Sequence, residues 1–198
     1  MSTVPPEEIE RAAQAIEAGE LVVYPTETVY GLGADALDAE AVESVFEAKG
    51  RDRSDPLSMA VPDLATAREY TSPTARERAF IEQFLPGPVT VVLQRKSMVP
   101  DGLTAGSERV GIRIPDHEVA LELARRAGPI TATSANVSGT GSARSVADLD
   151  EAIQNAAAVV LDGGETPGGG STVVDVETDE IHRRGARADE IDAWLAEH

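Results

Sequence analysis

The segment Val23-Tyr24-Pro25-Thr26-Glu27-Thr28-Val29-Tyr30-Gly31-Leu32-Gly33 decides the fold of this chain. An apolar strand predicted from Leu21 to Tyr24 runs into a turn of two threonines and a glutamate, and a second short apolar run follows. Polar side chains at the end of a buried strand need hydrogen-bond partners, because an unpaired buried polar group is costly. Two interpretations remain open: the side chains complete a hairpin turn, or they line a ligand pocket.

Helices and strands are predicted to alternate along the rest of the chain. Helices are predicted between Pro5 and Gly19, from Asp38 to Gly50, at 72–84, at 117–126, after the N-cap Ser145 and at 189–196; strands are predicted at 57–61, 89–93, 110–114, 130–133, 159–161, 173–176 and 181–182. No repeat and no sharp change of composition interrupts this order. It predicts an α/β (mixed α+β) fold, with helices layered over one mixed sheet in a single domain of residues 1–198.

The composition excludes several classes of protein. The absence of cysteine rules out disulfides, thiolate catalysis and cysteine-based zinc sites, and three scattered histidines argue against a protein-held metal site. No apolar run approaches the roughly 20 residues that a membrane helix needs. The N-terminus lacks the basic start and the apolar middle of a signal peptide. We therefore expect a soluble cytoplasmic protein with no membrane partner.

The formal net charge is −18, and only two of the 17 basic residues, Lys49 and Lys96, are lysine. Abundant carboxylates with scarce lysine suit a protein that stays soluble in concentrated salt, where charge repulsion is screened. We hypothesise a halophilic source. The charge also argues against a surface that coats nucleic acid, so any basic site has to be local.

Basic side chains concentrate in Lys49-Gly50-Arg51, which follows the second predicted helix and is joined by Arg53. A helix C-terminus favours one cation through its dipole, whereas three cations around a glycine are typical of an anion-binding loop. Lys49 and Arg51 are expected to lie in that loop, where core packing would not involve them.

Arg113 interrupts the apolar strand Val110-Gly111-Ile112-Arg113-Ile114. Arginine is almost never buried without a partner. Its side chain therefore either pairs with an internal carboxylate or faces a pocket that binds an anion, and the sequence leaves both open.

Two later segments are rich in short polar groups and glycine. Thr131-Ala132-Thr133-Ser134-Ala135-Asn136-Val137-Ser138-Gly139 offers hydroxyls and an amide suited to phosphate, ribose or a carboxylate, and Gly168-Gly169-Gly170-Ser171-Thr172 lets backbone amides approach an anion. A loop of turn-forming residues is the alternative for both. Gly31-Leu32-Gly33-Ala34-Asp35-Ala36 also fits the dinucleotide-binding fingerprint weakly.

Together these segments resemble the YrdC-type threonylcarbamoyl-AMP synthases. The motifs occur in the family's order between about Ile9 and Arg187: Pro25-Thr26-Glu27-Thr28-Val29-Tyr30-Gly31-Leu32-Gly33, Lys49-Gly50-Arg51, Pro86-Gly87-Pro88-Val89-Thr90, Val110-Gly111-Ile112-Arg113, Ser134-Ala135-Asn136-Val137-Ser138-Gly139 and Ser171-Thr172-Val173-Val174. The set is specific as an ensemble, although no single member is. The resemblance implies the short form of the family, without the additional C-terminal domain of longer relatives.

The resemblance implies a three-layer fold whose twisted mixed sheet encloses a concave, locally basic cavity. It implies that L-threonine, bicarbonate and ATP, the last with Mg²⁺, react to threonylcarbamoyl-AMP and pyrophosphate. The product would feed the N6-threonylcarbamoyl modification of a tRNA adenosine by a separate transferase, with transient contact to tRNA or to the transferase complex.

The resemblance also implies roles for individual residues. Thr28 and Arg113 would hold threonine, with Ser171 and the Ala132 backbone closing around it. Lys49, Arg51, Asp55, Ser134, Asn136, Ser142 and Arg184 would hold the nucleotide, Lys49 and Arg51 would be the catalytic cations, and no residue is expected to ligate a metal. The chain departs from the family pattern at Asp52 and Asp55, where proline and asparagine are usual, and near Ala60, where a histidine is often found.

Two other functions compete with this interpretation. An RNA-binding module would use a basic concave sheet, but the net charge and the scarcity of aromatic residues argue against it. A ligand-binding regulator would bind ATP without turnover. A hydrolase triad is disfavoured because the three histidines lie in poor contexts for a catalytic base.

Overall fold

The computed structural model describes residues 4–198, and over these residues the chain forms eight α-helices and nine β-strands. In chain order they are α1 (Pro6–Glu17), β1 (Leu21–Tyr24), β2 (Gly31–Gly33), α2 (Ala39–Lys49), β3 (Ser58–Ala60), α3 (Leu64–Tyr70), α4 (Ala75–Phe84), β4 (Val89–Gln94), α5 (Asp101–Thr104), β5 (Arg109–Arg113), α6 (Glu118–Ala127), β6 (Ile130–Ser134), α7 (Glu151–Ala156), β7 (Ala157–Val160), β8 (Thr172–Asp175), β9 (Glu180–Arg183) and α8 (Ala188–Glu197). Residues 1–3, on which the signal-peptide prediction partly rests, lie outside the described residues.

All nine strands join one mixed sheet in the order β7-β1-β2-β6-β3-β5-β4-β8-β9. The pairs β1–β7, β3–β5 and β4–β8 are parallel, and the other neighbours are antiparallel. The prediction of a mixed α/β fold built on one mixed sheet is confirmed.

Helices cover both faces of the sheet, as strand β1 illustrates. All four residues of β1 are buried, and successive side chains of a strand point to opposite faces. Leu21 and Val23 join the larger core, to which α2 and α4 contribute, whereas Val22 and Tyr24 join a smaller core with α1 and α6. The result is the predicted arrangement of three layers.

The second helix begins and ends at the predicted residues for local reasons. The Asp38 side chain accepts hydrogen bonds from the backbone N–H groups of Glu40 (2.9 Å) and Ala41 (3.4 Å), which satisfies the first turn of α2. Gly50 ends the helix with φ of 56°, a left-handed conformation that glycine adopts without strain.

The structure differs from the sequence prediction at the short helices. Ser145 caps only a single 3₁₀ turn, Val146–Asp148, because Leu149 is extended, and α7 begins at Glu151. Helix α3 was not predicted, since Ala67 is its only buried residue and no apolar stripe marks it. In residues 4–198 no helix combines the length and the apolar character needed to cross a membrane.

Candidate functional site

A cavity of about 530 Å³ lies on the concave side of the sheet. Tyr24 and Ala60 line it and also belong to the smaller core, so the cavity continues the sheet face that α1 and α6 partly cover. Paired residues of neighbouring strands form a row across its floor: Tyr24 with Gly31, Gly31 with Ser134, Ser58 with Ala132, Ala60 with Arg113, Arg113 with Thr90, Thr90 with Val173, and Val173 with Arg183.

Two glycines on the sheet leave space for the cavity, because they carry no side chain. A Cβ atom at Gly31 would lie 2.7 Å from Cζ of Tyr24, and one at Gly111 would lie 2.4 Å from Oγ of Ser58. A side chain at either position would displace Tyr24 or Ser58, so glycine fits both positions best. Because Gly31–Gly33 form a strand inside the sheet and no helix follows at once, the dinucleotide-fingerprint interpretation is wrong.

The two threonines of the turn after β1 share a hydrogen bond and both line the cavity. The hydroxyl of Thr26 donates to the carbonyl oxygen of Val29 (2.6 Å) and shares a hydrogen bond of 3.0 Å with the hydroxyl of Thr28. Thr26 therefore completes the turn, as the first interpretation required. Thr26 and Thr28 both line the cavity, as the second required.

Arg113 also satisfies both of its predicted alternatives. Its Nη2 donates to Oε1 of Glu27 (2.7 Å) and to the hydroxyl of Thr28 (3.0 Å), and its side chain lines the cavity. Nε of Arg113 is buried and has no hydrogen-bond partner among the described residues. The ion pair with Glu27 thus leaves at least one N–H group of this guanidinium without a hydrogen bond to any of residues 4–198.

Three more arginines line the cavity: Arg51, Arg109 and Arg183. Arg51 donates to the carbonyl oxygens of Asp55 (3.1 Å) and Pro56 (3.0 Å), which ties down the loop after α2. Arg183 donates from Nε to the carbonyl oxygen of Ser171 (3.0 Å) and from Nη2 to its hydroxyl (2.7 Å). Burial lowers the pKa of Arg183, and the nearby charges of Arg113 and Arg51 lower it further.

Tyr24 forms an uncharged wall beside these cations. Its hydroxyl donates to the carbonyl oxygen of Thr131 (3.1 Å), and burial raises its pKa to about 12 although the charge of Arg113 opposes the rise. The cavity therefore combines fixed positive charges with hydroxyl groups in a protein whose net charge is strongly negative. Such a site favours small, multiply anionic ligands.

Seven of the eleven residues predicted for the site line the cavity: Thr28, Arg51, Arg113, Ala132, Ser134, Ser142 and Ser171. The other four, Lys49, Asp55, Asn136 and Arg184, are not among its lining residues. Asp55 is exposed and contributes only its backbone carbonyl to Arg51. Arg184 is exposed and pairs with Asp189 (2.8 Å) and Asp192 (2.7 Å) of the last helix.

The expectation that Lys49 lies in a loop outside the core is wrong. Lys49 is the last residue of α2 and only 1% exposed. Its Nζ donates to the carbonyl oxygens of Ser134 and Asn136, the second at 2.7 Å. Asn136 is also turned inward, donating from Nδ2 to the carbonyl oxygens of Val137 (2.8 Å) and Thr140 (3.1 Å).

Arg183, Arg109 and Thr26 also line the cavity, although no sequence pattern predicts their positions. Arg183 and Arg184 are adjacent, and β8 and β9 pair with an irregularity in register, so strand alternation could not decide which one turns inward. Arg109 alternates with the buried Val110 and gives no separate signal. Thr26 belongs to the deciding motif, but it was not assigned to the site.

The family model of Sua5/YciO/YrdC proteins, described as "Telomere recombination", matches residues 14–185. The chain belongs to this family. The threonylcarbamoyl-AMP synthase of Pyrococcus abyssi is 42% identical over 170 residues, which are 83% of this chain and 49% of that protein. A protein of Methanocaldococcus jannaschii named putative threonylcarbamoyl-AMP synthase is 35% identical over 164 residues, 82% of this chain and 77% of that protein.

Solved structures show the same fold. Sua5 of P. abyssi, crystallised in complex with L-threonine, superposes with a TM-score of 0.89 at 39% identity, covering 96% of this chain and 57% of that one. Escherichia coli YciO superposes with a TM-score of 0.82 over 90% of this chain and 89% of its own, and at 23% identity it supports the fold alone. The chain spans about half the length of the P. abyssi and Bacillus subtilis relatives.

Proposed function

We propose that this chain is an L-threonylcarbamoyladenylate synthase that forms threonylcarbamoyl-AMP and pyrophosphate from L-threonine, bicarbonate and ATP. The observation that carries the proposal is the cavity, where Arg51, Arg113 and Arg183 meet hydroxyl groups inside a chain of net charge −18. All three substrates are anionic or carry a carboxylate. The family membership and the names of the relatives support the same conclusion.

We assign the threonine subsite to the part of the cavity around Arg113. Its guanidinium would bind the substrate carboxylate, because a planar fork grips two oxygens at once. Thr28 shares a hydrogen bond with Arg113 and would contact the substrate hydroxyl, and Ser171 and the Ala132 backbone would close the subsite.

The nucleotide subsite would be formed by Arg51, Ser134, Ser142 and Arg183. Arg51 and Arg183 both line the cavity, and the charge of Arg51 adds to the lowering of the Arg183 pKa. Two converging cations would stabilise a polyphosphate and the charge that develops on departing pyrophosphate. Asp55 and Arg184 have no side-chain position on the cavity, and their nucleotide role stays a prediction.

The proposed chemistry needs positioning more than acid–base catalysis. The threonine amine and bicarbonate condense to a carbamate with loss of water, and a carbamate oxygen attacks the α-phosphorus of ATP. The bond between the α-phosphorus and the bridging oxygen breaks, and pyrophosphate leaves. The side chains of the cavity would hold three anions together and exclude water.

We propose that Mg²⁺ enters with ATP as part of the substrate. In residues 4–198 no group of three or more histidine or carboxylate side chains is arranged to hold a metal ion. The cavity offers cations and hydroxyls that suit the phosphate oxygens around such an ion. Mg²⁺ would offset the charge of the leaving pyrophosphate.

The wider setting is also part of the proposal. The enzyme would act in the cytoplasm of a halophile, and its product would pass to a transferase that modifies tRNA. Transient contact with tRNA or with the transferase complex would accompany that transfer.

Pyrophosphate release in the presence of threonine, bicarbonate and MgATP tests the proposed function. We expect release only when all three are present, and we expect Arg51→Gln to abolish it in a protein with an unchanged circular dichroism spectrum. ATP binding without turnover would mean a ligand-binding regulator. Tight tRNA binding without pyrophosphate release would mean an RNA-binding module.

A further inference from the structure

Lys49 occupies an unusual position for a lysine, and this position defines what it can do. The side chain is 1% exposed, whereas lysine is almost never buried without partners. Its Nζ donates to the carbonyl oxygens of Ser134 and Asn136, residues 85 and 87 positions further along the chain. The ammonium group therefore joins the end of α2 to the turn that follows β6.

The turn at residues 134–138 is fixed by several hydrogen bonds that converge on the same place. The backbone carbonyl of Lys49 accepts from the N–H of Ser138 (2.8 Å), so Lys49 holds the turn by its side chain and by its main chain. The N–H of Ala135 donates to the carbonyl oxygen of Tyr30 (2.8 Å). Ser134, at the start of the turn, pairs with Gly31 in the sheet and lines the cavity.

We propose that Lys49 is a positioning residue that acts on the nucleotide through Ser134 and not by touching a phosphate. The proposal rests on the proposed function, because it assumes that a nucleotide occupies the cavity. Two of the three ammonium hydrogens are used by backbone carbonyls inside the protein. Without them the turn would lose two charge-assisted bonds, and Ser134 would be held in the cavity wall less firmly, by its pairing with Gly31 and by the remaining backbone hydrogen bonds of the turn.

Burial and a neighbouring cation both disfavour the charged form of Lys49. Burial, helped by the neighbouring charge of Arg51, lowers its pKa to about 8, although the charge of Asp150 opposes the change. Arg51 lines the cavity while Lys49 does not, so the two cations of one motif have different tasks. Arg51 would contact the ligand, and Lys49 would fix the position of Ser134 in the cavity wall.

A double-mutant cycle tests the proposal, with the affinity for a non-hydrolysable ATP analogue measured by calorimetry. We expect Lys49→Met to weaken binding by about tenfold to a hundredfold, the usual size of one charge-assisted hydrogen bond. In a Ser134→Ala protein the same substitution should change affinity by less than about threefold, because the contact through which it acts is already gone.

The matched control is Arg51→Gln, which removes the neighbouring cation that lines the cavity. Its effect on affinity should be nearly the same in the Ser134→Ala protein as in the unmodified one. Amide hydrogen exchange gives a readout that needs no ligand. Ala135 and Ser138 should exchange faster in Lys49→Met, while amides of α4 keep their protection.

Three outcomes would overturn the proposal: additive effects of Lys49→Met and Ser134→Ala, an unchanged nucleotide affinity of folded Lys49→Met, and unchanged exchange of Ala135 and Ser138. If Lys49→Met does not fold, Lys49→Gln replaces it, since the shorter amide removes the charge and weakens both hydrogen bonds but leaves a polar group among the buried carbonyls. Failure of the unmodified protein to bind the analogue would instead contradict the proposed function, and the exchange measurement would still decide whether Lys49 orders the turn.

Discussion

Replacing Arg113 with lysine should weaken the binding of threonine far more than the binding of ATP. Nη2 of Arg113 is already occupied by Glu27 at 2.7 Å and by Thr28 at 3.0 Å, and Nε is buried without a partner among residues 4–198, while the side chain as a whole lines the cavity in which we place the ligand. An ammonium group has a single nitrogen. In the variant that nitrogen would either neutralise Glu27 or bind the substrate carboxylate, and it could not reproduce the two-point contact.

The size of the effect follows from the hydrogen bonds to the substrate that the substitution removes. One charge-assisted hydrogen bond contributes about 1.5–3 kcal/mol, which corresponds to roughly a tenfold to 150-fold change in the dissociation constant of threonine. ATP lies toward Arg51 and Arg183 in our assignment, so its dissociation constant should change by less than about threefold. Glu27 keeps a cation nearby, so the variant avoids the loss of about 3–5 kcal/mol expected when one partner of a buried pair is deleted.

Calorimetric titration of each ligand separately measures this difference, and thermal unfolding verifies that the variant is folded. The matched control is Arg109→Lys, the same substitution on the same cavity. Arg109 is engaged by Glu77 (3.1 Å) and Asp175 (3.0 Å), so its replacement should lower stability and leave threonine affinity nearly unchanged. Equal loss of threonine and ATP affinity in Arg113→Lys would refute the assignment of Arg113 to the carboxylate.

Four further outcomes are expected. Gly111→Ala should destabilise the fold by about 1–3 kcal/mol in urea unfolding, because its Cβ would lie 2.4 Å from Oγ of Ser58; wild-type stability would mean that the floor of the cavity is pliable. The folded-state pKa of Lys49 is depressed, so between pH 8 and 10.5 the folded protein binds fewer protons than the unfolded protein. The free energy of unfolding of the unmodified protein, relative to that of Lys49→Met, should therefore rise over this range by about 3 kcal/mol at most. A difference that does not change with pH would contradict the depressed pKa. In competition assays at saturating ATP, the protein should favour threonine over valine by about 10⁴ and over serine by roughly 10–200-fold, with Thr28 contributing to the discrimination. A preference for valine would show that the pocket recognises the shape of the substrate alone. Unfolding should require more urea in molar KCl than in dilute buffer, whereas full stability in dilute buffer would count against a halophilic origin.

Much of the fold could be predicted because its signals are local. Apolar runs such as the one ending at Tyr24 are strands whichever partner they have, and Asp38 with Gly50 bounds a helix by capping alone. The hydroxyls after β1 left a turn and a cavity open from sequence, and the structure shows both, since Thr26 bonds within the turn and Thr28 lines the cavity. These inferences needed only the chemistry of near neighbours.

The rest depends on contacts between distant segments. Nothing near Lys49 in sequence shows that its ammonium is buried, because the carbonyls that accept its hydrogen bonds belong to Ser134 and Asn136. Arg183 and Arg184 differ only in which one turns toward Ser171, and that depends on the irregular pairing of β8 and β9. Lys49 belongs to the motif Lys49-Gly50-Arg51, yet its side chain bonds to the backbone behind the cavity and does not line the cavity itself.

The walls of the cavity come from segments near both ends of the chain, with Thr28 after β1 and Ser171 before β8. These segments lie toward opposite sides of the nine-stranded sheet. A ligand that bridges them acts as a reversible cross-link, and it dissociates completely when the sheet comes apart. By linkage, a ligand at 100 times its dissociation constant adds about 2.7 kcal/mol to the free energy of unfolding. Shifts in melting temperature with threonine, ATP or both would thus identify the natural ligands before any turnover is measured.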